Sequence, residues 1–315
     1  VQAADYSAGG GSTPSIEGAD NRVAIGDNAQ ASGDHSVAIG RNTTASGSSS
    51  AAVGPSSIAS GSQSSAFGHY AQATGANSTA LGDAVVAVGD GSLAAGQSSK
   101  ANGKNSIAMG YMANTAENAA DSIALGTQAK SSGEKSFAAG ASANASGAAS
   151  VALGSSSKAS GAHSTAFGVL ANASGDNSTA IGDDAKASGV SSFAAGQSSV
   201  ASGDNSTALG QHAAASSEHG VAIGWYAQAT ADHSVALGNG SIADEEKTVS
   251  VGQEGYERRI VHVDDGRVSA TSTDAINGRQ LWGVQQDVNH LSDKVSDLGD
   301  EIDSVGAISP APAGP

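Results

Sequence analysis

Four of the eight histidines in this sequence recur at one position of a repeating pattern, and histidine can both bind metal ions and transfer protons near neutral pH. His35, His163, His219 and His233 each stand five residues before a glycine. His219 and His233 belong to consecutive repeats, so on parallel strands they would stack about 4.8 Å apart. A metal site usually needs more ligands that converge on one point and a supporting shell of hydrogen bonds. We interpret these histidines as solvated turn residues, with a metal-binding or pH-dependent role as the alternative.

Charged side chains recur in two further columns of the pattern. Aspartates occupy the position next to the histidine column at Asp34, Asp176, Asp204 and Asp232. They are typical of turns, and a rod without a cleft does not support catalysis by paired carboxylates. Lysines recur at another position, at Lys100, Lys130, Lys158 and Lys186. They could line an acidic ligand, but we favour the interpretation that they keep an exposed strand soluble.

The glycine-rich segments do not match a nucleotide or calcium motif. "GKNS" at Gly103 and "GEKS" at Gly133 lack the upstream glycine and the GK[ST] ending of a phosphate-binding loop. The repeat period also differs from that of calcium-binding β-rolls. No nucleophile, base and orienting residue converge in the sequence pattern. We therefore predict no catalytic residue, no cofactor and no metal site, and expect that the chain is not an enzyme.

Composition excludes several classes of partner. The 315 residues carry a formal net charge of −16, which disfavours nucleic acid and anionic lipid surfaces. The chain has no cysteine, and no apolar run approaches the roughly 20 residues that span a bilayer, so we expect no direct membrane insertion. Residues 1–20 form a low-complexity segment without the features of a signal peptide, and residues 307–315 have the composition of a linker.

A 14-residue repeat dominates the sequence between residues 21 and 252. Seventeen glycines, from Gly26 to Gly252, close "VAIG"-like tetrads at 15 intervals of 14 residues and one of 16, between Gly110 and Gly126. Each unit contains two short alternating segments and usually a second glycine seven residues after the first. This pattern predicts two strands and two turns per unit, stacked as a parallel β-solenoid roughly 80 Å long. The two extra residues of the longer unit are expected to bulge outward from a turn.

The alternation within the first strand raises the question of which face is buried. Apolar residues stand three and one before the glycine, as in Val37 and Ile39, with alanine between them, as in Ala38. We expect the large residues to pack inward against alanines of the second strand. The column that begins with Ala38 would then face an identical chain, which predicts a cyclic homo-oligomer. Threonines in the large-residue column, such as Thr79 and Thr165, are likewise expected to face inward.

Bulky residues interrupt two columns that are otherwise small or polar. The two positions after the strand glycine are large in four units, and the fourth position after it is apolar in several others. Because exposed apolar side chains favour interfaces, these are candidate ligand or subunit contacts: Tyr70, Tyr111, Met112, Leu170, Trp225, Tyr226, Ile58, Val86 and Val200.

The repeat ends at Gly252, and a charged segment and a heptad pattern follow. Residues 253–280 contain "ERRIV" and "DGRVSATSTDAINGRQL". In residues 281–306 apolar side chains take every a and d position of a coiled coil, although they do not by themselves settle the number of strands. The predicted core consists of Leu281, Val284, Val288, Leu291, Val295, Leu298, Ile302 and Val305.

These motifs together resemble the head, neck and stalk of trimeric autotransporter adhesins of the YadA-like type. The resemblance covers about residues 20 to 306. It implies a homotrimeric, left-handed parallel β-roll, a neck over residues 253–280 and a three-stranded stalk from residue 281. It also implies display on a Gram-negative cell through an outer-membrane translocator domain, so that the chain would be a passenger fragment. The neck residues implied are Arg258, Arg259, Arg267, Asp274, Asn277, Gly278 and Gln280.

The function expected from this sequence is attachment to host cells or extracellular-matrix proteins through a rigid, multivalent head, with no indication of which ligand is bound. A passive spacer that projects another binding domain is the main alternative. Ice binding through the threonine column is a third and weaker hypothesis.

Overall fold

A computed structural model describes residues 6–8 and 21–306 of the chain, with side chains from residue 21 to residue 304. Most of the predicted 1–20 segment and all of 307–315 lie outside the described residues. The chain divides into two units, the first ending at Glu257 and the second beginning at Arg258.

The first unit consists of two parallel sheets whose strands alternate along the chain. The first sheet has 18 strands, nearly all of three residues. They are Tyr6–Ala8, Val23–Ile25, Val37–Ile39, Ala51–Val53, Ser65–Phe67, Thr79–Leu81, Leu93–Ala95, Ile107–Met109, Ile123–Leu125, Phe137–Ala139, Val151–Leu153, Thr165–Phe167, Thr179–Ile181, Phe193–Ala195, Thr207–Leu209, Val221–Ile223, Val235–Leu237 and Val249–Ser250. The second sheet has 16 strands of two residues. They are Gln30–Ala31, Thr44–Ala45, Ile58–Ala59, Gln72–Ala73, Val86–Ala87, Lys100–Ala101, Asn114–Thr115, Lys130–Ser131, Asn144–Ala145, Lys158–Ala159, Asn172–Ala173, Lys186–Ala187, Val200–Ala201, Ala214–Ala215, Gln228–Ala229 and Ile242–Ala243.

Equivalent residues of successive coils pair with one another, so each position of the repeat becomes a straight column. Ala80 pairs with Ala94, and Ala94 pairs with Ala108. The 16-residue unit keeps this register, because Ile107 still pairs with Ile123 on its far side. Its extra residues, 117 and 118, are exposed in the second turn. The predicted β-solenoid is confirmed, and the longer unit bulges without breaking the stack.

The interior is built from alanine, which corrects the expected orientation of the first strand. Ala38 is fully buried within its own chain, whereas Val37 is partly exposed and Ile39 is exposed. The prediction that the large residues point inward was wrong, as was the inward placement of Thr165, which is partly exposed. The largest fully buried side chain is Val85. Two sheets this close leave room for little more than a methyl group, so the large residues lie on the outer face.

Serine and glycine complete the interior at the turns. The Oγ of Ser164 donates to the carbonyl oxygen of Gly161 at 2.7 Å, so a buried hydroxyl is satisfied within its own turn. Gly168 has φ +137°, a conformation that residues with a Cβ rarely adopt, and a Cβ there would collide with the carbonyl oxygen of Gly182 in the next coil. The spacing of the glycines is therefore set by how closely the coils stack.

The second unit contains an irregular segment followed by one helix, Gly278–Gly306. Residues 258–277 form no strand or helix. In the part of the chain that the structure describes, no helix is both long enough and apolar enough to cross a membrane.

Candidate binding surfaces

The turn that follows each strand of the first sheet holds its second residue in a left-handed conformation. The φ angle lies between 53° and 58° at the four large residues in this position, which are Tyr70, Met112, Leu170 and Tyr226. The ladder between coils enforces this geometry, since the Leu170 N–H donates to the Ser155 carbonyl at 3.0 Å. Most other coils place asparagine, aspartate, serine or glycine at this position, and of these asparagine, aspartate and glycine adopt the left-handed region most readily. A large side chain here carries strain of about 1–2 kcal/mol.

These large turn residues are exposed at one corner of the solenoid. Trp225 is 52% exposed and Leu170 is 53% exposed. The others are 43–52% exposed: Tyr70, Tyr111, Met112, Val169 and Tyr226. The corner therefore presents four separate pairs of bulky residues, which are His69–Tyr70, Tyr111–Met112, Val169–Leu170 and Trp225–Tyr226. We call these the corner pairs. Strain and exposed apolar area at the same positions are features of interaction sites rather than of a fold optimised for stability.

The last corner pair belongs to a larger aromatic cluster. The rings of Trp225 and Tyr226 meet edge to face at 4.5 Å between centroids, and Tyr226 stacks on His212 of the preceding coil at 4.6 Å. Gln211 lies beside this stack and donates to Gln197 at 2.8 Å. Sequence reasoning missed His212, although it precedes Tyr226 by 14 residues and the repeat register would have identified it.

In the first corner pair, His69 begins a row of polar side chains that continues at the same position of the next two coils. The Nδ1 atom of His69 lies 2.8 Å from the Asp83 carboxylate of the next coil, and Gln97 donates to the same carboxylate at 3.4 Å. The rings of His69 and Tyr70 meet at 4.1 Å. All of these groups are exposed, so the ladder is a surface feature and contains no enclosed catalytic pocket.

The remaining predicted contacts lie on a different surface. Ile58, Val86 and Val200 are the first residues of their strands in the second sheet, and each is partly exposed beside a buried alanine. They share this outer face with the lysine column. The structure therefore separates the predicted contact residues into a corner and a strand face.

The other recurrent polar residues behave as turn residues. Asp176 and Asp204 each accept a hydrogen bond at 2.8 Å from a backbone N–H of the preceding coil, that of Ala162 and of Val190 respectively. The rings of His219 and His233 stack at 4.7 Å, close to the expected coil spacing. Nearly parallel rings do not aim their nitrogens at one point, and no group of three potential metal ligands occurs among the described residues.

The predicted neck residues form a hydrogen-bonded network within the second unit. Arg267 contacts Asp274 through Nε at 3.0 Å, and this guanidinium holds the pKa of the Asp274 carboxyl below its usual value. The side-chain Nδ2 of Asn277 donates to the Asp265 carboxylate at 2.7 Å and to the Val263 carbonyl oxygen at 3.0 Å. Gln280 makes two hydrogen bonds with the backbone of Gly266.

The other neck residues surround this network. Gly278 is the first residue of the helix, whereas Arg258 and Arg259 are exposed on the irregular segment. An apolar groove runs between residues 260–263 and 275–279.

The helix exposes its whole predicted heptad stripe. Every core residue from Leu281 to Ile302 is more than half exposed in the single chain. The side chain of Val305 lies outside the described residues. A 29-residue helix with an unburied apolar stripe needs partner helices, because isolated helices are marginal in water.

The first unit is a parallel solenoid with large apolar side chains on its outer face, and the second contains a helix with an unburied heptad stripe. Together they define a repeat protein that combines a β-solenoid with a coiled-coil segment. The family described as the YadA head domain repeat matches residues 23–43, 45–71, 59–84, 87–112, 118–143, 131–157, 145–171, 159–185, 187–213 and 215–241. The coiled stalk of trimeric autotransporter adhesins matches residues 259–303. These matches cover more than half of the chain, which therefore belongs to the trimeric autotransporter adhesins with YadA-like heads.

Individual relatives match smaller portions. The autotransporter adhesin BtaE of Brucella suis biovar 1 (strain 1330) is 48% identical over 48 residues, which are 15% of this chain and 6% of that protein. The C-terminal YadA-like domain of BPSL2063 from Burkholderia pseudomallei is 31% identical, with a TM-score of 0.26, over 35% of this chain and 56% of that one. The collagen-binding domain of the Yersinia adhesin YadA is 24% identical, with a TM-score of 0.24, over 73% and 86%.

Family membership bears on the two exposed apolar surfaces of the single chain. A homotrimer is consistent with the family, and the single chain exposes two apolar surfaces, the outer face of the first sheet and the heptad stripe. The argument that led from the Ala38 column to an oligomer was wrong, because those alanines pack within one chain. The large residues around them lie on the outer face of the first sheet.

Proposed function

We propose that this chain is the head, neck and first part of the stalk of a homotrimeric adhesin that attaches a Gram-negative bacterium to host cells or extracellular-matrix proteins. The adhesin is displayed on the cell surface and anchored through an outer-membrane translocator domain. The head acts as a rigid rod that presents the same kind of contact several times.

The exposed corner pairs are the observation that carries this proposal. Successive pairs are three, four and four coils apart, or roughly 14 to 19 Å along the solenoid. Three chains would present twelve such pairs, so weak individual contacts would combine through avidity. Aromatic residues held on a rigid backbone lose little conformational entropy on binding, which favours Trp225 and Tyr226 as the strongest contact.

Replacement of the corner pairs tests the proposal. Attachment of the purified chain to cultured host cells and to immobilised matrix proteins is compared with that of W225S/Y226S. Removal of both rings is expected to reduce attachment about tenfold, with the coils intact by circular dichroism. Gln197→Ser is the matched control, because it changes the same corner without removing apolar area.

Two outcomes would contradict the proposal. Unchanged attachment by a variant that lacks all four corner pairs would favour a passive spacer, since a spacer needs no contact residues. A monomer by light scattering at micromolar concentration would contradict the homotrimer on which avidity depends.

A further inference from the structure

Lysine and asparagine alternate without interruption along the outer face of the second sheet. Lys100 pairs with Asn114, and Asn114 pairs with Lys130. The alternation continues coil by coil as far as Lys186. We call this set the lysine row: Lys100, Asn114, Lys130, Asn144, Lys158, Asn172 and Lys186. Because neighbouring coils are about 4.8 Å apart, lysines recur about every 9.6 Å over about 29 Å.

The row is a positive line on an acidic molecule. The chain has 30 acidic and 14 basic residues, yet neither outward column of this face contains Asp or Glu from Gln30 to Thr230. These columns are the fourth and sixth positions after each strand glycine. Acidic residues of the solenoid stand instead at the turns, as do Asp83, Asp176 and Asp204. Charge is therefore segregated, with negative corners beside a positive strand face.

In the described part of the chain, most lysines of the row lack an ion pair, and two of its asparagines have a side-chain oxygen without a hydrogen-bond partner. Among the described residues, Lys100, Lys130 and Lys158 form no ion pair, whereas Lys186 lies 3.1 Å from Asp184. The Oδ1 atoms of Asn144 and Asn172 are buried and have no hydrogen-bond partner. The NH2 groups of both amides make no hydrogen bond among the described residues, so they remain available as donors.

We propose that the lysine row binds a linear acidic polysaccharide carrying one negative group per disaccharide, laid along the axis of the solenoid. This inference goes beyond the proposed function, because it places a second ligand on the strand face and not at the corner pairs. A charge repeated every two sugar rings corresponds to a lysine on every second coil. The intervening asparagine amides, and the serine hydroxyls of the adjacent column, hydrogen-bond to the sugar hydroxyls and acidic groups.

The geometry of the row favours this polymer over other polyanions. Single-stranded nucleic acid carries a phosphate on every nucleotide, a shorter repeat, and its binding sites supply aromatic rings for base stacking. The row contains no aromatic residue. An anionic membrane presents a plane of charge, whereas this cationic feature is a single line one residue wide.

Binding of fluorescent unsulfated chondroitin, which has one carboxylate per disaccharide, tests the charge of the row. The full chain is compared with K100Q/K130Q/K158Q and with K104Q/K135Q/K247Q. Both variants lose three lysines and have the same net charge, but the second set stands at turns. The row variant is expected to bind about tenfold more weakly, and the turn variant as wild type does, with affinity falling as NaCl rises. Equal loss in both variants would overturn the proposal.

A register variant tests the spacing separately from the charge. K130N/N144K keeps the composition and the net charge but places the lysines three, one and two coils apart. Chondroitin binding is expected to weaken several-fold in this variant, and full retention would overturn the proposed match of repeats. Tighter binding of single-stranded DNA or phosphatidylserine vesicles than of chondroitin would overturn the ligand class, as would equal binding of neutral dextran.

Cell attachment of the same proteins distinguishes this inference from the proposed function. Wild-type protein that attaches to host cells but does not bind chondroitin would overturn the polysaccharide assignment alone. Wild-type protein that does neither would overturn both.

Discussion

Asn277 and Gln280 cap the helix reciprocally. The Asn277 side-chain oxygen accepts from the Gln280 N–H at 3.2 Å, and the Gln280 side-chain oxygen accepts from the Asn277 N–H at 3.2 Å. Gln280 simultaneously donates to the Gly266 carbonyl at 2.6 Å and accepts from its N–H at 2.9 Å. The same two residues therefore start the helix and tie the irregular segment to it.

Replacement of Asn277 by alanine removes the cap and its hydrogen bonds to residues 263 and 265. We expect the free energy of unfolding of the helical segment to fall by about 1 kcal/mol or more. Circular dichroism at 222 nm during thermal unfolding of the full chain measures this, because the described residues contain a single helix. Asn289→Ala, in the middle of the helix, is the control and should not destabilise the helix, because alanine has the higher helix propensity. Equal shifts in the two variants would contradict the capping role.

The two faces of one strand predict opposite tolerance to larger side chains. Ala166 is fully buried, whereas its neighbour Thr165 is on the outer face. Ala166→Leu overpacks the interior and is expected to destabilise the solenoid by about 1–3 kcal/mol or more, whereas Thr165→Val should change stability by much less. Urea unfolding measures both. Equal tolerance would contradict the inward position of alanine.

Leu170 offers a test of stored strain at a corner pair. Leu170→Asn places a residue suited to the left-handed region at φ 58° and should raise the free energy of unfolding by about 1 kcal/mol while weakening attachment. Val169→Asn removes similar apolar area from the preceding position, so it should weaken attachment without stabilising the fold. Thermal unfolding and cell-attachment assays of the two variants provide the comparison. Loss of stability in the Leu170 variant would exclude strain.

The Arg267–Asp274 pair predicts an acid-dependent contribution to neck stability. In the folded chain the pKa of the Asp274 carboxyl is lowered chiefly by the side-chain hydrogen bond from Arg267. In the unfolded chain an aspartate has a pKa of about 3.9. Between these two values the unfolded chain binds more protons, so stability rises with pH there. The contribution is present above about pH 4 and is lost as pH falls through the folded pKa. An NMR titration should show the Asp274 pKa rising in Arg267→Gln; identical titration would contradict the pairing.

Much of the architecture was predictable because its signals are local and repeated. The 14-residue period located both strands of each coil, and the a and d positions identified the helix that the structure shows over Gly278–Gly306. The bulky turn residues stood out in the same register. The aromatic stack of His212 on Tyr226 did not, because residues 14 apart in sequence become neighbours only when successive coils stack.

The sequence by itself determined the period, the order of strands and turns, and the family of this protein, since all three follow from spacing along the chain. Only the tertiary structure decided which face of each strand is inside. Alternation defines two faces equally well, and the choice depends on the narrow gap between the sheets, which admits the methyl group of Ala38 and excludes Val37 and Ile39. The lysine row likewise became a continuous surface only through stacking, because residues 14 apart in sequence are neighbours only when the coils pair.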